Sequence, residues 1–232
     1  MPGFSLGRDD RTGYGPFSRL VNAATCRLPA LLLLSAALLA PPLAADAAPV
    51  TVLALGDSLT AGLGLPPDQG FTAKLQAALA AKGVAVTVIN AGVSGDTTAG
   101  GLARLDWALG DHPDYALVEL GANDMLRGLD PHGAAANLDQ ILARLQAAHV
   151  KILLCGMLSV NNWGPEYAKD FNAIYPALAK KYDVPLYPFF LDGVATNPKL
   201  NQPDMLHPNA AGVDVLVAHI LPSVEKLLGP PG

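Results

Sequence analysis

The stretch Val50-Thr51-Val52-Leu53-Ala54-Leu55-Gly56-Asp57-Ser58-Leu59 decides the fold, because an apolar run ends in it at a turn that carries a hydroxyl group. Its first six residues are uncharged and include three β-branched side chains, which predicts a strand buried on both faces of a sheet. Ligands of open α/β sheets bind in the crevice beyond the carboxyl ends of such strands. The sequence therefore places Ser58 where a ligand would bind.

The segments that follow alternate between strand-like and helix-like patterns. Four further runs are short and largely apolar, as buried strands are: 84–90, 115–120, 150–155 and 184–187. Helical periodicity or a helix-capping pattern marks the segments between and after them: 71–82, 95–109, 131–149, 166–182 and 209–228. Unbroken apolar strands that alternate with helices predict a parallel sheet. We expect an α/β fold, a three-layer, doubly wound, flavodoxin-like sandwich with a central parallel sheet of about five strands.

The N-terminal part has the pattern of a secretory signal peptide. Arg19 and Arg27 precede the apolar segment Leu28–Leu43, and Ala45-Asp46-Ala47 follows it as an A-x-A-like cleavage site. The apolar core is short for a membrane span, and two prolines end it. We expect a secreted or periplasmic product with no stable membrane anchor, and the alternative is an uncleaved anchor.

Cleavage near Ala47 divides the 232-residue chain into two parts. Residues 1–47 are expected to be a signal peptide with an unusually long N-terminal extension, and residues 48–232 to form a single domain. The segment that is removed contains Cys26, which leaves Cys155 alone and permits no intramolecular disulfide. The net charge is −5, and no block of Lys or Arg predicts a nucleic-acid partner.

A second string, Asp204-Met205-Leu206-His207-Pro208-Asn209, supplies a carboxylate and an imidazole three residues apart. Serine, aspartate and histidine in this chain order suggest a serine hydrolase. A serine hydroxyl is a weak nucleophile, so a base must take its proton, and a carboxylate must hold that base in the right tautomer. The short spacing between Asp204 and His207 lets one turn carry both groups toward Ser58.

Donors for a developing oxyanion follow the predicted strands at the same edge of the sheet. Gly95 follows the second strand, and Gly121-Ala122-Asn123-Asp124 follows the third. A glycine lets its backbone N–H approach a ligand closely, and an asparagine offers an uncharged NH₂ donor. The N–H groups of Ser58 and Gly95 and the Asn123 side chain are therefore candidates for a three-donor oxyanion hole.

These strings together resemble the four ordered sequence blocks of the SGNH (GDSL) hydrolase superfamily, over essentially all of residues 50–228. The resemblance is closest to the secreted bacterial branch of thioesterase I, lysophospholipase and arylesterase. It implies Ser58 as the nucleophile, His207 as the base and Asp204 as its orienting carboxylate, with Gly95, Asn123 and the Ser58 N–H as oxyanion donors. It also implies hydrolysis of aryl or alkyl esters, acyl thioesters or lysophospholipids through an acyl-enzyme, with no metal and no cofactor.

Six apolar residues lie in predicted loops at the same edge as Ser58. They either cover the core or line an acyl-binding groove for an ester, thioester or lipid substrate. They are Met125, Leu126, Leu158, Trp163, Met205 and Leu206.

Two other classes of function remain open at this point. A metal-dependent phosphoesterase would use Asp57, Asp124, Asp204 and His207, a set that lacks a second histidine. A non-catalytic α/β ligand-binding module would leave the pair of Asp204 and His207 without a purpose. Its phosphate-binding version would need a G-x-G-x-x-G motif, whereas Gly62-Leu63-Gly64-Leu65-Pro66 misses the third glycine and meets a proline. The sequence does not reveal the oligomeric state.

Overall fold

Five parallel strands form one sheet in the computed structural model, which describes residues 49–159 and 163–229. The strands run in the order β2-β1-β3-β4-β5, which is the flavodoxin-like order and confirms the predicted α/β fold. Their bounds are β1 (Val50–Gly56), β2 (Val86–Gly92), β3 (Tyr115–Glu119), β4 (Lys151–Cys155) and β5 (Leu186–Tyr187). Residues 1–48, and with them the predicted signal peptide, lie outside the described part of the chain.

Eight α-helices connect or flank these strands in the described residues. Their bounds are α1 (Ser58–Ala61), α2 (Phe71–Ala81), α3 (Thr98–Ala103), α4 (Leu105–Leu109), α5 (Ala122–Leu126), α6 (Pro131–Ala147), α7 (Pro165–Tyr182) and α8 (Ala210–Leu228). Helix α2 packs on α8, and α6 packs on α3 and α7, so helices cover both faces of the sheet. Of the helices that the structure describes, none has the length and hydrophobicity needed to cross a bilayer.

Three differences from the predicted elements lie close to the site. The helix predicted over 95–109 is two helices, α3 and α4, which meet at Arg104. The Arg104 side chain binds Asp96 at 2.5 Å and donates to the Gly56 carbonyl oxygen, so this residue ties the break in the helix to the end of β1. Helices α1 and α5 were not predicted, because four- and five-residue helices are too short to show a period.

The burial of the strands explains why their sequences are largely apolar. All five residues of β3 are buried, as are the last five of β1 and the last four of β4. Burial on both faces is what helices on both sides of a parallel sheet impose. Strand partners Gly56, Glu119 and Cys155 lie in one row at the carboxyl edge, where the turns that carry Ser58 and Asn123 begin.

Candidate active site

Three side chains from the two ends of the chain form a continuous hydrogen-bonded series. Ser58 Oγ lies 2.8 Å from His207 Nε2, and His207 Nδ1 lies 2.6 Å from Asp204 Oδ2. Because the carboxylate only accepts, it places the ring proton on Nδ1 and leaves Nε2 free to accept the hydroxyl proton. The structure thus brings together Ser58, His207 and Asp204 in the arrangement that a nucleophile, a base and an orienting carboxylate require.

The turn that carries Asp204 and His207 is built from its own backbone. Asp204 Oδ1 accepts hydrogen bonds from the backbone N–H groups of Leu206 at 2.9 Å and His207 at 3.0 Å. The His207 carbonyl oxygen in turn accepts from the Gln202 N–H at 2.7 Å. Asn209 then caps α8 by accepting from the Gly212 N–H. The imidazole is therefore fixed at the start of the last helix.

These donors also fix the charge of Asp204. The hydrogen bonds from the His207 N–H, the His207 ring and the Leu206 N–H lower the pKa of Asp204 to about 2. The carboxylate is only partly shielded from solvent, with 44% of its side chain exposed. Asp204 is therefore ionised at neutral pH.

Ser58 is the first residue of α1 and is buried at the strand-to-helix turn. The residue before it, Asp57, caps this helix, because Asp57 Oδ1 accepts from the Leu59 N–H at 3.0 Å. Asp57 therefore organises the turn through this hydrogen bond with the backbone.

The predicted oxyanion donors converge on the same cavity as Ser58. Gly95 has a φ of +85°, a conformation that favours glycine, and its carbonyl oxygen accepts from Arg127 at 2.8 Å. Asn123 is the second residue of α5, and its Nδ2 donates to Asp57 Oδ2 at 3.0 Å. This contact was not predicted, because it joins two strand ends that are 66 residues apart in the sequence.

Asp124 links the turn that carries Asn123 to the turn that carries Gly95. Its carboxylate accepts from the Thr98 N–H at 2.8 Å and from the Thr98 hydroxyl at 2.7 Å. Thr98 begins α3, directly after the turn that carries Gly95. Asp124 therefore caps the start of α3, a helix other than its own.

Burial sets the protonation of Asp57. Its side chain is fully buried, and this desolvation raises the pKa of Asp57 to about 6 although the Leu59 N–H and the Asn123 amide lower it. Above this pH the ionised carboxylate is a charge-assisted acceptor for the Asn123 amide.

An apolar cavity of about 590 Å³ opens beside Ser58 and His207. This volume lies within the range of pockets that bind a drug-sized ligand. Five of the six residues predicted for the groove line it: Met125, Leu126, Leu158, Met205 and Leu206.

Trp163 is the exception among the six predicted groove residues, because it is not one of the residues that line the cavity. Its indole Nε1 donates to the Met125 carbonyl oxygen at 2.8 Å, and about half of the side chain is exposed. The indole therefore braces the end of α5 from outside the cavity.

Several lining residues were missed by the sequence reasoning. Most lie between β5 and α8, in a segment without a period that could mark them: Phe189, Leu191, Ala195, Thr196 and Asn201. Leu59, Leu63, Ala122 and Met157 also line the cavity and were not predicted to do so.

The carboxylates that a metal-dependent phosphoesterase would need are separately engaged. Asp57 accepts from Leu59 and Asn123, Asp124 accepts from Thr98, and Asp204 accepts from the His207 ring. Within residues 49–159 and 163–229, no three side chains of His, Cys, Asp or Glu are grouped as metal ligands would be.

Comparison with known proteins agrees with this geometry. The profile of the GDSL-like lipase/acylhydrolase family matches residues 54–215, which contain the turn with Ser58, the turn with Asn123 and the turn with Asp204 and His207. The esterase TesA of Pseudomonas aeruginosa is 41% identical over 198 residues, which cover 85% of this chain and 98% of that protein.

Two further relatives have the same character. The thioesterase 1/protease 1/lysophospholipase L1 of Escherichia coli K12 is 44% identical over 164 residues, 70% of this chain and 77% of that protein. The crystal structure of AlinE4, an SGNH-hydrolase family esterase, is 48% identical with a TM-score of 0.66 and covers 79% of this chain and 99% of that one. The chain therefore belongs to the GDSL-like lipase/acylhydrolase family, the SGNH hydrolases, and is a carboxylic-ester hydrolase.

Proposed function

We propose that this protein hydrolyses fatty acyl esters, whether alkyl esters, aryl esters or lysophospholipids, and acyl thioesters, with Ser58 as the nucleophile. The observation that carries the proposal is the series from Ser58 Oγ through His207 to Asp204, at 2.8 and 2.6 Å, at the wall of an apolar cavity. The series supplies a nucleophile with its base, and the cavity supplies a place for an acyl chain. The reaction needs neither a metal ion nor a cofactor.

The reaction begins when Ser58 Oγ attacks the acyl carbon while His207 Nε2 takes the hydroxyl proton. The carbonyl π bond opens, and its electron pair forms an oxyanion on the tetrahedral intermediate. Collapse expels the leaving alcohol or thiol, which receives the proton from His207, and an acyl-Ser58 ester remains. Water then repeats the sequence with His207 as the base, which releases the fatty acid and restores the hydroxyl group of Ser58.

The oxyanion meets the N–H groups of Ser58 and Gly95 and the amide of Asn123. The Asn123 nitrogen carries two hydrogens, and Asp57 accepts one of them. The ionised Asp57 fixes the amide, so the second hydrogen is held in place before the charge forms. Preorganised donors of this kind stabilise the transition state more than the ground state.

The cavity supports a preference for longer acyl chains. Burial of one methylene group contributes about 0.8 kcal/mol, which corresponds to roughly a fourfold gain in kcat/KM for each added carbon until the cavity is full. Ala195 lines the cavity and is small, so Ala195→Phe should shorten the preferred acyl chain. Glu166→Ala, an exposed change at the start of α7, serves as the control that should leave the preference unaltered.

A hydrolysis panel that varies acyl length and leaving group independently tests this proposal. We expect kcat/KM to rise with acyl length for p-nitrophenyl esters and for acyl thioesters alike, and activity to be lost after treatment with a fluorophosphonate. Loss of activity with a chelator but not with the phosphonate would instead identify a metal-dependent enzyme. A flat dependence on chain length would contradict an acyl-binding role for the cavity.

We further propose that residues 1–47 direct export and that residues 48–232 form the single catalytic domain that is released. The support is the order of Arg27, an apolar segment and an A-x-A-like site at Ala45-Asp46-Ala47. N-terminal sequencing of the protein recovered outside the cytoplasm of a bacterial host should find a start near Ala47. An intact N-terminus in the membrane fraction would contradict cleavage and favour the anchor.

A further inference from the structure

A buried carboxyl group beneath the nucleophile takes no part in the reaction proposed above. Glu119 ends β3, is 1% exposed, and pairs in the sheet with Gly56, two residues before Ser58. We propose that Glu119 is a positioning residue for this reaction, whose carboxyl group holds the turn with Ser58 from both sides.

The contacts of one oxygen support this role. Glu119 Oε2 accepts from the Thr60 hydroxyl at 2.7 Å and, in a longer contact, from the Asp57 N–H at 3.4 Å. Asp57 and Thr60 stand on either side of Ser58 in the sequence, so one carboxyl group fixes the backbone before the nucleophile and the helix after it. We call these contacts of Glu119 with Thr60 and Asp57 the clamp. Thr60 and Glu119 are each about 1% exposed, so the clamp is shielded from water.

Gly56 makes room for the clamp. A Cβ atom at this position would collide with the Thr60 hydroxyl and would lie 2.6 Å from Glu119 Oε2. Both partners are buried and belong to packed elements, so neither can withdraw without disturbing the turn. A glycine before the nucleophile is therefore needed for the approach of Glu119.

The surroundings of Glu119 favour its neutral form. Among the described residues it forms no ion pair, and its Oε1 has no hydrogen-bond partner. Burial, with a further contribution from the neighbouring Asp57, raises the pKa of Glu119 well above its usual range. Its other near neighbour, the Cys155 thiol on β4, is also fully buried. A neutral carboxyl group can hold the turn without adding a second negative charge beside Asp57.

This inference rests on the proposed function, because the position of Ser58 Oγ matters only if it attacks the substrate. A misplacement of about 1 Å at a reacting atom can cost about 10²-fold in rate. Glu119→Ala should therefore lower kcat by about 10- to 100-fold while KM changes by less than about twofold. Glu119→Gln keeps the carbonyl acceptor and the neutral charge, so it should restore kcat to within about threefold of the parent.

Four variants separate positioning from bulk stability. Alongside Glu119→Ala and Glu119→Gln, Thr60→Val removes the hydroxyl donor while keeping the shape, and should lower kcat by about three- to tenfold. Tyr187→Phe is the matched control: Tyr187 lies two strands away in the same row of the sheet, and its buried hydroxyl has no partner among the described residues. For each variant, kcat is measured per site titrated with a fluorophosphonate, with the melting temperature on the same preparation.

A role in fold stability alone would lower the melting temperature and the number of titrated sites but leave kcat per site at the parental value, and this would overturn the proposal. Equal loss of kcat in Glu119→Gln and Glu119→Ala would also overturn it, because the carboxyl group would then act through its charge or its proton. If Glu119→Ala does not fold, a parental kcat in Thr60→Val would overturn the proposal. Failure of the parent to label at Ser58 would instead refute the proposed function.

Discussion

Replacement of Asp57 by asparagine probes how the oxyanion donor is oriented. In the parent, Asp57 Oδ2 accepts from Asn123 Nδ2 at 3.0 Å and Asp57 Oδ1 accepts from the Leu59 N–H at 3.0 Å. An asparagine at position 57 keeps one oxygen that can accept from the Leu59 N–H. Its NH₂ group then faces the NH₂ group of Asn123, where the parent has a carboxylate oxygen. The Asn123 amide must turn its oxygen toward the new donor, which moves its own NH₂ away from the oxyanion.

The expected loss follows from this geometry. Loss of one oxyanion donor costs about 10²–10³ in kcat, or roughly 2.7–4 kcal/mol of transition-state stabilisation. Because the donor acts on a charge that forms only in the transition state, KM should change little where it approximates binding. Asn123→Ala should show a loss of similar size, and the double variant should lose no more than about threefold beyond either single variant, since both remove the same donor.

A matched control exists at another helix N-terminus. Asp130 caps α6 by accepting from the His132 N–H, as Asp57 caps α1. Asparagine and aspartate are about equally good caps, so Asp130→Asn should retain both melting temperature and kcat. Steady-state kinetics and thermal melts on the same preparations provide the assay. A folded Asp57→Asn variant with parental kcat would refute the role of Asp57 in orienting Asn123.

The remaining predictions concern charge and pH. Asp204→Asn should keep the fold and lower kcat by up to about 10⁴, because an asparagine favours the wrong imidazole tautomer, and hydrolysis rates with circular dichroism would check it. Because burial raises the pKa of Asp57 to about 6, kcat of the parent should fall as the pH drops through that value, and the same ionisation should be missing from the pH profile of Asp57→Asn. Since this pKa is higher in the folded than in the unfolded chain, the contribution of Asp57 to the free energy of unfolding should fall as the pH rises from about 4 to about 6. Thermal melts of Asp57→Asn should therefore show a smaller decline than those of the parent, in which Glu119, whose pKa is also raised, contributes as well.

Much of the fold could be predicted because its signals are local. The run Val50–Leu55 and its counterparts are largely apolar, and a parallel sheet covered on both faces buries such strands in this way. The ends of the elements were predicted less accurately. The apolar pattern of β5 begins at Val184, but only Leu186 and Tyr187 pair with β4, so the strand has two residues.

The positions of the catalytic candidates were also predictable, since each lies in a turn at the carboxyl edge of the sheet. The contacts that hold these residues in place were not predictable. The contacts of Asp57 with Asn123 and of Glu119 with Thr60 depend on the register of β1 against β3, which pairs Gly56 with Glu119. A sequence pattern does not reveal which residues of two strands that lie far apart in the chain face each other in the sheet. The same holds for Trp163, whose indole turns to a backbone carbonyl instead of the cavity.

The central claim is that Ser58 is the nucleophile of an ester hydrolase whose base is His207. Reaction of the protein with a fluorophosphonate, followed by peptide mass spectrometry, tests it most directly. We predict one adduct per chain, on the peptide that contains Ser58, with loss of ester hydrolysis in proportion to labelling, and no adduct in a folded Ser58→Ala variant. An adduct on another residue, or full hydrolytic activity in Ser58→Ala, would contradict the claim.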